Sequence, residues 1–280
     1  MPTVRTGPVI GLIFQIVLLA GLAGTVGLGG AGWLAGLAYA AVGHAVLNRG
    51  LHRCAAAGLG PADRVTLTRA VLVGGVTALV ADSAHRPAPV GVLIVLTAVA
   101  LLLDAVDGRV ARRTGTASAF GARFDMEVDA FLILVLSLYV APSVGGWVLA
   151  IGAMRYAFVA AARALPWLRG QLPARYWRKV VAAVQGVLLL VAASAALPRT
   201  LTVLVLVVAL ALLVESFGHD VGWLWRHRAG PARPRVGRAA PAPALPARRV
   251  TLPVRRQPSG TGEPAGARDL PVAPPVLSLR

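Results

Sequence analysis

The chain has 280 residues, 57% of them hydrophobic and only 14% charged, with a mean hydropathy of +0.72; a water-soluble domain carries about 25% charged residues, so the composition excludes that class and points to lipid as the solvent. The net charge of +17 is divided between short inter-run loops and a basic tail, which fits positive-inside loops and a segment lying against anionic lipid rather than nucleic-acid binding. Cys54 is the single cysteine, which rules out an intramolecular disulfide or a cysteine metal cluster, and His44, His52, His85, His219 and His227 fall in separate segments without metal-ligand spacing.

In chain order, eight apolar runs appear, at roughly 8–29, 31–47, 65–82, 89–107, 124–141, 144–162, 180–197 and 200–218. Most are long enough to cross about 30 Å of hydrocarbon as helix. The first has no basic segment and cleavage site typical of a leader, so it is predicted to stay as a span. The first two runs are rich in glycine and alanine, and Gly32 and Gly36 have the small-xxx-small spacing that lets helices approach closely. Ordinary packing accounts for it better than a dedicated dimer motif. With the N-terminus placed in the cytoplasm, the inner loops 48–64, 108–123 and 163–179 carry twelve basic residues, among them Arg49, Arg112, Arg163 and Lys179; the outer loops carry Arg86 and Arg199. That asymmetry predicts a multi-pass protein of the cell membrane with both termini inside. Trp147 falls near the outer interface, and Trp167, Trp177, Trp223 and Trp225 fall near the inner one. Residues 225–280 hold eleven of the twenty prolines and eleven arginines without periodicity, and read as a disordered tail.

Chemistry is concentrated in one place. Of eleven acidic residues, five lie within 26 positions: Asp104, Asp107, Asp125, Glu127 and Asp129. Charge at the edge of lipid is expensive, so the clustering needs a cause. Asp104 and Asp107 are three apart at the end of one predicted helix, and Asp125 and Asp129 are four apart at the start of the next, so each pair shares a face. Antiparallel neighbours bring the faces together, and bound divalent cations relieve the repulsion of four carboxylates. All-oxygen ligation without His or Cys suggests Mg²⁺ or Mn²⁺, two ions. Glu127, two residues from both Asp125 and Asp129, points away. In the predicted loop between the pairs, Gly108 and Gly121 allow close backbone approach and Arg112 can pair with phosphate oxygens. Metal and arginine beside a membrane surface suit a diphosphate-linked lipid donor, and a carboxylate not used by metal can take the acceptor's proton.

The stretch D104-x2-D107-G108-x2-A111-R112-x8-G121-x3-D125-x3-D129 resembles the complete signature of the CDP-alcohol phosphatidyltransferases, with all eight fixed positions present. The resemblance implies an all-α polytopic fold, a six-helix core within the eight spans, and transfer of a phosphatidyl group from CDP-diacylglycerol to an alcohol with release of CMP. It implies Asp104, Asp107 and Asp125 as metal ligands, and Asp129 as general base that also touches metal. Gly108, Arg112 and Gly121 would line the CDP-lipid site. Upstream, Asp63, Thr66 and Arg69 in DRVTLTR resemble the family's segment before its first core span and are assigned to the same site, although many members have Asn where Asp63 stands. A homodimer is also implied.

The division expected is accessory helices over 1–60, the transferase domain over 61–224 and the tail over 225–280. Arg155, deep in its span, and Lys179, the single lysine, are the candidates for holding the acceptor. A phosphorylated acceptor needs such cations, so glycerol 3-phosphate is the first choice, with inositol phosphate second and phosphatidylglycerol, as in a cardiolipin synthase, serine and other amino alcohols also open. A divalent cation transporter is the rival from another class; it would need acids accessible from both sides, whereas these sit at one face beside an arginine-rich loop. An intramembrane prenyltransferase would carry its acidic motifs on distant helices.

Overall fold

A computed structural model describes residues 6–54, 61–114, 119–170, 172–173 and 176–228; the tail reading from 229 on lies outside those residues, whereas 225–227, expected to open the disordered tail, are helical and end the last helix, because Trp225 still has Trp167 to pack against. Among the described residues all regular structure is helical: α1 (Thr6–Thr25), α2 (Gly30–Cys54), α3 (Pro61–Asp82), α4 (Val90–Thr114), α5 (Ala119–Val144), α6 (Leu149–Ala164), α7 (Tyr176–Ala193) and α8 (Arg199–His227). Seven of these carry stretches long and apolar enough to cross a membrane, and α4 contributes the shorter apolar stretch Val90–Val106. The chain is an all-helical polytopic membrane protein.

Each predicted run becomes one helix, but the ends move in a consistent direction. The C-terminal ends of α2, α4 and α8 and the N-terminal ends of α3, α5 and α7 all reach past the apolar runs, by four to nine residues. With alternating helices these ends share one side of the bundle, the side that carries the acidic cluster. The expected loop 108–123 is therefore mostly helix, and Gly108 and Arg112 belong to α4. Leaving hydrocarbon ends an apolar run, yet the backbone hydrogen-bond ladder continues as long as the residues favour it, as Ala111, Arg112 and Arg113 do. On the opposite side α1 and α7 end, and α6 begins, four or five residues inside their runs. Gly27 adopts φ +71°, a left-handed turn that closes α1 inside the run 8–29, and Gly145 at φ +118° does the same before α6. These residues are apolar enough to extend a hydropathy run but conformationally suited to end a helix.

α3 sits at the centre, packed on α1, α2, α4 and α5. Its apolar residues Val73, Val76 and Leu79 join Leu93, Leu132, Leu136, Leu189 and Leu206 in one buried core. Lipid supplies no hydrophobic drive between helices, so close approach through small residues matters. A side chain at Gly32 would meet the Ala78 carbonyl oxygen at 2.9 Å, and one at Gly36 the Ala78 Cβ at 3.3 Å. The small-xxx-small pair thus serves packing of α2 on α3 within the chain. Gly152 similarly seats α6 on α5, since a Cβ there would lie 2.5 Å from the Leu134 Cα.

Polar staples fix the register. Asp82, at the end of α3, accepts the Gly29 N–H at 3.1 Å and the Arg86 Nε–H at 2.9 Å, tying the α1–α2 turn to the α3–α4 turn. Buried Gln185 donates its Nε2–H to the Ala209 carbonyl at 2.7 Å, joining α7 to α8. On the acidic-cluster side, Trp167 packs edge-on against Trp225 at 5.3 Å and Trp177 donates to Glu215 at 2.8 Å.

Candidate active site

Three helices build the site. Pro61 opens α3, where its missing N–H is harmless, and Asp63 stands in the first turn, where the helix dipole favours an acid. Asp63, Thr66 and Arg69 follow at intervals of three, so they share one face that descends into the bundle. Thr66 and Arg69 are 3% and 1% exposed. A guanidinium so deeply buried must be paired, and Arg69 meets three carboxylates at once. Its Nη1 pairs with Asp104 on α4, while its Nη2 lies 2.5 Å from Asp125 Oδ1 and 3.0 Å from Asp129 Oδ1 on α5. Nη2 also donates to the Asp125 backbone carbonyl at 3.0 Å.

The four-residue spacing of Asp125 and Asp129 places both on the side of α5 that faces α3, and each of the three carboxylates remains about a third open, at 31% to 36%. Carboxylate oxygens of Asp104, Asp125 and Asp129 lie within 4.8 Å of one another. Three ionised carboxylates against one guanidinium leave an excess of two negative charges, which a divalent cation matches. The donors are all hard oxygens, the set preferred by Mg²⁺ and Mn²⁺. The residues therefore fit such an ion.

The remaining expected site residues divide. Asp107 lies three positions beyond Asp104 on α4, followed by Gly108 and Arg112, and the side chains of this segment fall outside the described residues. Gly121 stands in the first turn of α5, half-buried. Arg155 and Lys179, expected to converge on one acceptor, share no contact. Arg155 pairs with Glu127 and lies 2.9 Å from the Met126 sulfur. Glu127 is about 200° round α5 from Asp125 and Asp129, so this pairing takes Arg155 to a different face from the acidic cluster. Lys179 is exposed near the start of α7 and makes no ion pair among the described residues. α6 packs on α5 and α8, whereas α7 packs on α8, α5 and α4.

The central place of Arg69 goes beyond the sequence reading, which put it only at the lipid donor. The signal was present: a charge at the fifth position of the predicted run 65–82, in a chain whose acids cluster on the neighbouring runs, needs a carboxylate partner.

Residues 60–215 match the family described as CDP-alcohol phosphatidyltransferase, more than half of the chain. The chain belongs to the CDP-alcohol phosphatidyltransferase family. It is a membrane transferase of phospholipid biosynthesis, and the match contains α3 to α7, most of α8 and every residue of the acidic cluster. The α1–α2 hairpin lies outside the matched segment. No curated protein and no solved structure matches the chain.

Proposed function

We propose that this phosphatidyltransferase moves the phosphatidyl group of CDP-diacylglycerol to a small alcohol, releasing CMP, with Asp104, Asp107, Asp125 and Asp129 holding divalent metal, two ions of Mg²⁺ or Mn²⁺. The observation that carries the reading is the convergence of Asp104, Asp125 and Asp129 around buried Arg69 inside the segment that matches the family. Bound there, divalent metal neutralises charge on the diphosphate and on the departing CMP. Asp129 takes the proton of the acceptor hydroxyl; that oxygen bonds to the phosphatidyl phosphorus as the phosphoanhydride bond to CMP breaks. Arg69 holds the carboxylates in place and keeps its remaining donor capacity toward donor phosphate, alongside Gly108, Arg112, Gly121, Asp63 and Thr66. The site faces the cytoplasm, as the arginine-rich loops support, and a homodimer in the cell membrane is the working assembly.

Glycerol 3-phosphate is the acceptor we propose first, then inositol phosphate or phosphatidylglycerol. Lys179 supports a phosphorylated acceptor, being a cation without an ion pair among the described residues. Arg155 would have to exchange Glu127 for the acceptor phosphate. The test is purified full-length protein with labelled CDP-diacylglycerol, Mg²⁺ or Mn²⁺ and a panel of alcohols, reading lipid product and CMP. Product with glycerol 3-phosphate alone supports the first choice; product with an uncharged alcohol alone overturns the phosphorylated-acceptor reading.

A further inference from the structure

Arg69 is out of keeping with the site it stands in. Carboxylates gathered to hold a divalent ion gain nothing from a resident cation, because that cation repels the ion they attract. Yet the guanidinium is enclosed by protein, at 1% exposure, while the three carboxylates it binds are each about a third open.

The guanidinium is fixed there. Nη1 pairs with Asp104 on α4; Nη2 lies 2.5 Å from Asp125 Oδ1 and 3.0 Å from Asp129 Oδ1 on α5, and donates to the Asp125 backbone carbonyl at 3.0 Å. Withdrawing it would strand an unpaired charge inside the bundle. That is costlier than tolerating repulsion across carboxylates that water partly screens. An incoming ion therefore meets the carboxylates from their open side, with Arg69 still in place beneath them.

Charge then sets a count. Asp104, Asp125 and Asp129 together with Arg69 carry a net −2, and one divalent ion brings that to zero. Asp107, three positions on along α4, adds one more negative charge. A second divalent ion would still leave the site positive at the edge of lipid. Were Arg69 uncharged, four carboxylates would balance two ions. The diphosphate of the donor brings a negative charge on each phosphate, which is enough to accommodate the second ion.

We propose that Arg69 is a fixed counter-charge that limits the donor-free site to one divalent ion, so that the second is held only together with the diphosphate of CDP-diacylglycerol. Arg69 is thereby a positioning residue that ties metal loading to donor binding. The inference builds on the metal and donor reading above, and the experiment separates the two.

Full-length protein in detergent is titrated with Mn²⁺, and the unbound ion is measured by its electron paramagnetic resonance signal. Samples are taken with and without CDP-diacylglycerol, and no acceptor is present. The wild type should hold one Mn²⁺ per chain alone and two with the donor. Arg69→Met should hold two without the donor and bind the first about tenfold more tightly, since even at the dielectric of water a unit charge a few ångströms from a divalent ion is worth that factor. Arg69→Lys keeps the charge on a different frame and should hold one, like the wild type; a merely structural role would be lost in both variants alike. Thermal unfolding of the same samples shows which variants are folded, and the wild-type counts stand whether or not Arg69→Met folds. Two ions in the donor-free wild type, one ion in donor-free, folded Arg69→Met, or Arg69→Lys behaving as Arg69→Met would each overturn the proposal and leave the metal reading standing. No bound Mn²⁺ with or without donor would overturn both.

Discussion

Replacing Arg69 by methionine tests the central geometry of the site. The change keeps an unbranched apolar side chain in place of a guanidinium that is 1% exposed, and so leaves Asp104, Asp125 and Asp129 facing one another without their shared cation. Breaking a buried ion pair costs about 3–5 kcal/mol. Each of the three carboxylates is about a third open to solvent, which screens part of their repulsion, so the low end of about 3 kcal/mol applies. For a folded unit of about 230 residues that corresponds to a fall in Tm of about 6–12 °C. The assay is thermal unfolding of the full-length protein in detergent, first in EDTA and then in saturating Mg²⁺ or Mn²⁺. Divalent metal should raise the Tm of the variant more than that of the wild type, because the cation replaces the missing guanidinium charge and binds a more negative site. If Arg69→Met melts with the wild type in EDTA, the carboxylates do not depend on Arg69. If metal raises both proteins equally, the site is not balanced by charge in the way described.

Asp129→Asn keeps size and hydrogen bonding but removes the base, and turnover at saturating Mg²⁺ or Mn²⁺ should fall by about 10²–10⁴; near-normal rates would remove Asp129 from that role. Gly152→Ala should destabilise by about 1–3 kcal/mol through its clash with the Leu134 Cα, whereas Gly218→Ala, with nothing within 4 Å, should not, as thermal unfolding would show. Asp82→Ala leaves the Gly29 N–H and Arg86 without their shared acceptor and should lower stability by about 1–3 kcal/mol and open the α1–α2 turn to limited proteolysis. Lys179→Ala should raise the KM for glycerol 3-phosphate about tenfold with that for CDP-diacylglycerol little changed, while Arg155→Ala should have the smaller effect because Glu127 already engages it.

What the sequence could and could not convey follows from what each signal measures. Hydropathy measures solvent preference, so it located eight apolar segments and missed where α4 and α8 continue past them or where Gly27 turns the backbone. Helical spacing within one segment correctly set Asp125 and Asp129 on a common face and Glu127 off it. It carries no information about which side chain a neighbouring helix presents. That is why the capture of Arg155 by Glu127, and of three carboxylates by Arg69, emerged only when the helices were packed together. Gly32 and Gly36 show the same limit: their spacing announced a close contact, and only the fold named Ala78 as its partner.

The overhang of the helices on one side gives the site a mechanical ruler. Asp104 stands ten residues before the end of α4 at Thr114, about 15 Å along a rigid rod. Its height relative to the bilayer is thereby set by the rod and by the apolar stretch below it, and the connection to α5 has little leverage over it. Lengthening that connection would leave the carboxylate at the same depth, whereas one residue inserted after Leu101 would turn Asp104 by about 100° away from Arg69. Sequence beyond the rod's end is thus free to vary in length while the carboxylate keeps its place beside Arg69.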